Sequence, residues 1–464
     1  MNILYIGSGF VGACSAAVSA DSGHNVLVYD IDEKKVKALG SGDRDTVELC
    51  LFEDGLGDLL VRHKERINFT TNYDDVESFL DNCDAVFMCL PTPEIGETGE
   101  SNLDYYYRAA EKLAEGMTKR NGGAQDKYIV LVNKSTVPIE MVDQTQAIMD
   151  KAGVKNYGVV SNPEFLVEGK AISGSLKPDR IVVGAWEEKD FEVMRNLYQR
   201  FVDSPNVEYL EVNPKEAAAG KLLANFYLFN KLAICFDVIG RTCETFSDLK
   251  FENLRRILTS DDRIGGWGFY NSVYAGGSCF IKDARSLSHQ LQTSGQDAVL
   301  VNETCLANKR QLELFMGRAD RESNVDWKGK KVAVIGLAFK RDTNDVRNSP
   351  SIDIVRHLQE QGVGEVRLYD PAAMDMFKLT FPESEQIKYF MHEFEAVKES
   401  DIIIIATDWP QFRGLADVII GEVNNSTIIM DGRRMLQHRY EDMQRAGFDI
   451  IAVGSPFIKG RPAN

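Results

Sequence analysis

Residues 276–283 read Gly-Gly-Ser-Cys-Phe-Ile-Lys-Asp, and Cys279 is the strongest candidate nucleophile in any motif of the chain. Two glycines let the backbone turn tightly, and a helix is expected to begin at or near Cys279. A thiol there feels the positive end of the helix dipole, which favours the thiolate, the form that attacks electrophiles. Asp283 stands four residues on, on the same helical face, where it can orient a water or a proton acceptor beside the sulfur. A lone cysteine in a reduced protein is usually an inert core residue; the glycine pair and the aspartate set this one apart. Lys221 and Asn225 are also spaced i, i+4, so a cation and an amide on one face can stabilise an oxyanion, an exposed polar face being the plainer reading. Residues 162–169 (Asn-Pro-Glu-Phe-Leu-Val-Glu-Gly) put Glu164 and Glu168 just after a strand, where α/β sheets bind ligands. Residues 133–138 (Asn-Lys-Ser-Thr-Val-Pro) hold the same kind of place, with helix capping an equal alternative for Ser135 and Thr136.

A different chemistry is written at the N-terminus. Gly7, Gly9 and Gly12 form Gly-x-Gly-x-x-Gly between an apolar run at 2–7 and a small-residue helical pattern reaching Ala20. A second apolar run at 25–29 ends on Asp30. This is the strand, glycine turn, helix, strand and acid of a dinucleotide-binding unit: turn amides hold a pyrophosphate, and the carboxylate accepts both ribose hydroxyls. Asp30 favours NAD over NADP, because it would repel a 2′-phosphate. Lys35, one turn into the next helix, can reach the adenosine ribose; a solvated surface lysine is the alternative.

Positioning these groups requires an ordered scaffold. Further strand-like runs at 85–90, 128–132, 158–161 and 180–184 alternate with helical stretches, the mark of a parallel α/β sheet. Residues 215–246 hold no proline and repeat apolar side chains at helical spacing (Leu222, Leu223, Phe226, Phe229, Leu232, Ile234, Val238), predicting one long connector helix and oligomer seam. Helices are expected at 251–258, 283–292 and 298–315, then a polar segment at 317–330. Strands at 331–335, 366–369, 402–406, 427–430 and 450–453 make a second α/β unit, in which Gly336 is followed by Leu-Ala-Phe-Lys rather than a full glycine fingerprint. The expected fold class is α/β: two Rossmann-like doubly wound domains joined by a long central helix and a mostly α-helical middle section. The domains are expected at 1–213 (NAD-binding), 214–322 (central, dimerising) and 323–464 (Rossmann-like, binding another ligand).

Composition narrows the class. The chain has 464 residues, 44% hydrophobic and 27% charged, enough for several cored domains. Its 53 Lys+Arg against 70 Asp+Glu give a net charge of −17, which argues against a non-specific nucleic-acid or anionic-membrane binder. No run approaches the ~18–20 consecutive apolar residues of a membrane span. The N-terminus lacks a leader pattern, and the eight cysteines lack regular spacing, so a cytoplasmic protein with reduced thiols is expected. Neither Cys-x-x-Cys nor His-Glu-x-x-His occurs, so no metal site is expected.

Together these segments resemble the UDP-glucose 6-dehydrogenase family of nucleotide-sugar dehydrogenases. The motifs stand as GSGFVG at 7–12, NKSTVP at 133–138, NPEFLVEG at 162–169, GKLLAN at 220–225, DRIGG at 262–266, GGSCFIKD at 276–283, GLAFKRDTNDVRNSPS at 336–351 and DGRR at 431–434, in family order over nearly the whole chain. The resemblance implies oxidation of the C6 alcohol of a nucleotide sugar to a carboxylate by two NAD+, serving polysaccharide biosynthesis, in a homodimer or higher oligomer with no nucleic-acid or membrane partner. It makes Cys279 the nucleophile that takes the intermediate aldehyde as a thiohemiacetal and then a thioester. Lys221, Asn225 and Asp283 match residues that hold the oxyanion and the water, with Thr136 and Glu164 assisting. Cofactor contacts are implied at Gly7, Gly9, Phe10, Val11, Gly12, Asp30, Lys35, Thr92, Ser135, Thr136, Glu168, Lys282 and Arg347. Substrate contacts are implied at Glu164, Phe165, Leu166, Lys221, Asn225, Tyr270, Tyr274, Gly276, Phe339, Lys340 and Arg433, with Arg263 donated by a neighbouring subunit.

Two positions depart from the family pattern. Ala275 stands where an aromatic ring is usual, and Ile281 where proline or glutamine is common. UDP-glucose is the expected substrate. GDP-mannose or a UDP-N-acetylhexosamine is the runner-up, and a non-catalytic nucleotide-sugar or NAD sensor is the alternative from another class. Ser278-Cys279 with Lys282-Asp283 fits the UDP-glucose and GDP-mannose branches.

Overall fold

Uninterrupted apolar runs such as Ile129-Val130-Leu131-Val132 suit strands buried on both faces of a parallel sheet. The computed structural model describes residues 1–120 and 127–461. Its contacts divide it into two units, one of residues 1–224 and 286–296, the other of residues 225–285 and 297–464.

The first unit carries eight strands: β1 (Asn2–Ile6), β2 (Asn25–Tyr29), β3 (Ile67–Thr70), β4 (Ala85–Met88), β5 (Ile129–Asn133), β6 (Tyr157–Ser161), β7 (Arg180–Gly184) and β8 (Glu208–Val212). They lie in the order β3-β2-β1-β4-β5-β6-β7-β8. Neighbours run parallel except β6 and β7, which meet antiparallel at Ser161 and Gly184. Alternate residues feed two cores: Ile3, Tyr5, Val28, Phe87 and Val132 on one face, Leu4, Ile6, Leu27, Val86 and Leu131 on the other. The chain winds outward in both directions from β1, so the carboxyl ends of β1 and β4 form the switch point at which such sheets bind ligands.

The second unit holds β9 (Lys331–Ile335), β10 (Glu365–Tyr369), β11 (Ile387–Tyr389), β12 (Ile402–Ile405), β13 (Ile428–Asp431) and β14 (Asp449–Ala452), all parallel in the order β11-β10-β9-β12-β13-β14. The helices that bear on function are α1 (Phe10–Asp21), α2 (Glu33–Leu39), α3 (Pro214–Ala233), α4 (Phe280–Thr293), α5 (Val299–Ser323) and α6 (Pro350–Glu360).

Two helical expectations change. The long helix over 215–246 is α3, then a π-helical turn at Ile234–Gly240, then a short helix at Arg241–Thr245. Within it Asp237 accepts a bond from Arg241 Nε at 3.3 Å. The helix expected at 298–315 extends into the polar segment: α5 runs on to Ser323 and ends at Asn324, whose φ of 51° closes the helix in the left-handed region. Its polar composition is compatible with burial because Arg318 donates to Ala452 O at 2.8 Å and Ser455 O at 3.0 Å and pairs with Glu322 at 2.9 Å. Among the described residues, the helical run Pro214–Thr245 contains an 18-residue stretch of mean hydropathy 1.5, enough to cross a membrane by length and composition alone. That run contains Lys221, Asn225 and Asp237, and a core or interface helix passes the same measure.

Candidate active site

In the first unit, the glycine turn leaves β1 and opens α1. Gly7 has φ +102°, and a Cβ there would fall 2.3 Å from Cys89 O; one on Gly12 would fall 2.0 Å from Gly7 O, so only glycine packs this turn. Gly9 is the N-cap and has no side chain to satisfy the first-turn amides, which suits an anion such as a pyrophosphate. Asp30, just past β2, accepts from Ser8 N at 2.6 Å, Ser8 Oγ at 2.7 Å and Asp32 N at 3.0 Å, with Lys35 Nζ at 3.9 Å. Burial opposes its ionisation, but those hydrogen bonds and the lysine outweigh burial and hold the carboxyl below its ordinary range. The carboxylate is therefore anionic at neutral pH beside the turn, as a ribose-binding acid must be. These residues fit a dinucleotide.

The second sheet explains by contrast why it does not repeat this site. Its counterpart Asp370, at the end of β10, is fully buried. It accepts from Leu337 N, Ala338 N, Ala372 N, Ala373 N and Trp409 Nε1. Five donors from its own domain converge on Asp370, whereas three reach Asp30.

At the carboxyl ends of β5 and β6, the first unit gathers charge. Lys221, on α3, pairs with Glu164 at 3.1 Å, their side chains only 6% and 9% exposed. Glu164 also accepts from Leu166 N at 2.5 Å, which bends the loop after β6 back on itself. Lys221 and Arg180 both lie over the ring of Phe165, at 5.4 Å and 3.9 Å. Thr136 and Ser135 share a pocket with Val137, Ser161, Pro163, Ala218 and Lys221. Thr92 donates to Thr136 O at 2.7 Å, and Ser135 to Leu90 O at 2.7 Å, so both hydroxyls brace the loop after β5. Glu168 is half-buried next to Gly169.

Two residues here escaped sequence reasoning. Lys134 is buried, and its Nζ donates to Asn162 Oδ1 at 2.9 Å, while Asn162 donates to Val182 O at 2.7 Å. Burial pushes the ammonium down to about 8; Cys89 and Glu164 act to raise it and Lys221 to lower it. A lysine separated only by Asn133 from the apolar run Ile129-Val130-Leu131-Val132, in a motif already singled out, was the available signal. Glu53, also buried, is the second: its carboxylate takes Gly169 N at 2.7 Å and Ala171 N at 3.0 Å and so fixes the end of the Glu164 loop.

The second unit holds the thiol. Cys279 is exposed and immediately precedes α4, with its carbonyl accepting Asp283 N at 2.8 Å. Asp283 is buried; its carboxylate accepts from Asn225 Nδ2 at 2.6 Å and from Lys282 Nζ at 2.6 Å. Lys282, a cofactor contact by resemblance, has its ammonium on Asp283. A Cβ on Gly277 (φ +88°) would meet the Phe339 ring at 2.8 Å, and one on Gly276 the carbonyl of Asn348 at 2.5 Å, so the glycine pair lets the 336–349 loop press on the cysteine loop. Lys340 Nζ lies 5.6 Å from the centre of that Phe339 ring. Arg433 donates to Ser272 Oγ at 2.8 Å and to Asp408 at 2.7 Å. Tyr274 is buried with its hydroxyl on Asp353 at 2.8 Å.

Three further predicted contacts have local partners in the second unit. Arg263 is 90% exposed and folds onto Asp261. Tyr270 is exposed and packs edge-on to Trp267 at 6.0 Å. Arg347 is largely exposed and clamps Asp345. The second unit thus supplies an exposed nucleophile and a held carboxylate, and the first unit a buried lysine–glutamate pair.

Comparison with known proteins matches three consecutive models. The NAD binding domain of the UDP-glucose/GDP-mannose dehydrogenase family matches residues 1–202, its central domain 215–310 and its UDP binding domain 333–438. The chain is 32% identical over 469 residues to the UDP-glucose 6-dehydrogenase TuaD of Bacillus subtilis, covering 99% of this chain and 94% of that one. It superposes with a TM-score of 0.83 on a UDP-glucose dehydrogenase from Pyrobaculum islandicum, at 28% identity over 94% of this chain and 95% of the other. A UDP-D-ManNAc dehydrogenase from Pyrococcus horikoshii superposes at 0.80 with 24% identity, covering 98% of this chain and 99% of that one; such a likeness shows the fold alone.

Proposed function

The chain belongs to the UDP-glucose/GDP-mannose dehydrogenase family, and on that premise we propose that it oxidises UDP-glucose to UDP-glucuronate through a covalent adduct on Cys279. The observation that carries this reading is an exposed thiol at the start of α4, one turn from a carboxylate held by an amide and an ammonium. NAD+ accepts one hydride, two electrons, per molecule, so alcohol to acid takes two. The Gly7–Gly12 turn and Asp30 would hold the pyrophosphate and the ribose.

The chain's own residues divide the work. After the first oxidation, Cys279 Sγ adds to the aldehyde carbon and keeps the intermediate from escaping as a thiohemiacetal. The second oxidation leaves a thioester, which water hydrolyses to release the acid and restore the thiol. Asp283, fixed by Asn225 and Lys282, orients that water. Lys221 and Asn225 stabilise negative charge on the sugar oxygen, with Thr136 and Glu164 holding the lysine side. Phe339, Lys340, Arg433, Tyr274 and Gly276 receive the nucleotide sugar; Glu168 and Arg347 serve the cofactor.

The working unit on this reading is at least a homodimer in the cytoplasm. Leu223, Tyr227, Ile234 and Val238 are exposed along the central helical run, a stripe that a second copy would cover, and Arg263 would be donated across that seam. Relatives named for UDP-glucose support the substrate. Steady-state NADH formation with UDP-glucose, GDP-mannose and a UDP-N-acetylhexosamine at equal concentration tests it: the highest kcat/KM on UDP-glucose is expected, and a higher value on either other sugar would reassign the substrate.

A further inference from the structure

The segment from 260 to 279 contains neither helix nor strand, yet Asn271, Ser272, Val273, Tyr274 and Ala275 are buried. A buried irregular backbone must find partners for its amides and carbonyls outside regular structure. Helix α5 supplies them. Its inward stripe at Thr304, Asn308, Gln311, Phe315 and Arg318 follows the four-three spacing of a packed face, yet four of the five are polar and all five are buried. Asn308 Oδ1 accepts Ala275 N at 2.8 Å and its Nδ2 donates to Ala275 O at 3.2 Å, pairing with the peptide as a neighbouring strand would. One turn on, Gln311 Nε2 donates to Ser272 O at 3.0 Å, and Arg241 bonds Gln311 Oε1, which fixes the amide's orientation. Ser272 Oγ in turn bonds Tyr274 O at 2.7 Å and receives Arg433 at 2.8 Å.

Between Ala275 and Cys279 lie only Gly276, Gly277 and Ser278, two of them residues that leave the backbone its greatest freedom. The loop needs an anchor immediately upstream. We propose that Asn308, with Gln311 behind it, is the positioning residue that sets the Ser272–Ala275 backbone and thereby places Cys279 and the Arg433 side chain for reaction. The proposal rests on the reading of Cys279 as the nucleophile.

Asn308→Ala removes both bonds to Ala275; Asn308→Asp keeps the acceptor facing Ala275 N and loses the donor. For each variant, kcat, the KM for NAD+ and for UDP-glucose, thermal unfolding, and the rate of Cys279 alkylation by iodoacetamide are measured. Because a misplacement of about 1 Å can cost ~100-fold in rate, Asn308→Ala is expected to lose about 10- to 100-fold in kcat and to alter the alkylation rate. NAD+ KM should stay within about twofold, and the aspartate variant should recover part of kcat. A purely structural role would lower the melting temperature and the folded fraction but leave kcat per folded site intact. Folded Asn308→Ala with kcat within about twofold of the parent overturns the proposal. If the alanine variant does not fold, the same criterion applies to Asn308→Asp and to Gln311→Met. A parallel Cys279→Ser control separates the two readings: an active serine variant sinks the nucleophile itself, whereas an inactive one beside a normal Asn308→Ala sinks only the anchor.

Discussion

Replacing Glu164 by glutamine removes one charge while keeping the size and an oxygen for the bond to Leu166 N. It strands Lys221, 3.1 Å away in a buried pair, and leaves two lysines, Lys221 and Lys134, without the carboxylate that faces both. Removing one partner of a buried pair costs about 3–5 kcal/mol. Lys221→Met removes a cation instead, and Glu164 then still faces Lys134, so a smaller cost than that of Glu164→Gln is expected. The pH dependence has a definite sign. Burial pushes Lys134 down to about 8 in the folded chain from an ordinary 10.5, so the charged form is disfavoured by folding and stability from this group rises with pH between those values. Deleting Glu164 removes one of the effects that raise Lys134, and the folded value falls further. The Glu164→Gln penalty is therefore largest at low pH, where Lys134 is charged, and shrinks as pH rises to about 8, by about 1–2 kcal/mol if the value moves by roughly a unit or more. Chemical unfolding of parent and both variants at about pH 6 and about pH 9 reads this out. A greater loss from Lys221→Met than from Glu164→Gln, or a penalty equal at both pH values, would refute the reasoning.

Three further outcomes are expected. Asp30→Ala should raise the KM for NAD+ and narrow its preference over NADP+, measured as the ratio of kcat/KM; equal use of both cofactors by the unaltered protein would defeat the role given to Asp30. Mixing inactive Arg263→Ala with inactive Cys279→Ala should restore some activity through hybrid sites once subunits exchange, and no recovery after demonstrated exchange would mean that each site is built within one chain. Asp283→Asn should form the covalent adduct yet hydrolyse it slowly, so that sugar-modified protein accumulates in intact-mass spectra; normal turnover would remove Asp283 from the water step.

Much of this architecture was legible because it depends on local pattern. The Gly7–Gly12 turn, the acid at Asp30 and the helix that starts beside Cys279 are each encoded within a few residues by backbone freedom, strand length and helical spacing. Long-range pairing was not legible. Lys134 meets Asn162 across 28 positions, and Lys221 meets Glu164 across 57, because separate strand ends and α3 bring them together. Asn308 and Gln311 read as ordinary polar helix residues until the fold turns that face inward against a buried loop. Similarly, the polar segment from 317 hides the last turns of α5, because Arg318 is satisfied by Ala452 and Ser455, more than a hundred positions away.

The claim on which the account turns is that Cys279 forms a covalent adduct with the sugar, and Cys279→Ser tests it most directly. Serine nearly preserves size but replaces a readily ionised thiol by a hydroxyl, and an ester formed there would hydrolyse more slowly than a thioester. Overall conversion of UDP-glucose to the uronic acid by the serine variant should fall by several orders of magnitude while NAD+ and UDP-glucose still bind, with a sugar-sized mass shift on the intact protein as the trapped species. Near-normal conversion with no such shift would contradict the thioester route and the place given to this cysteine.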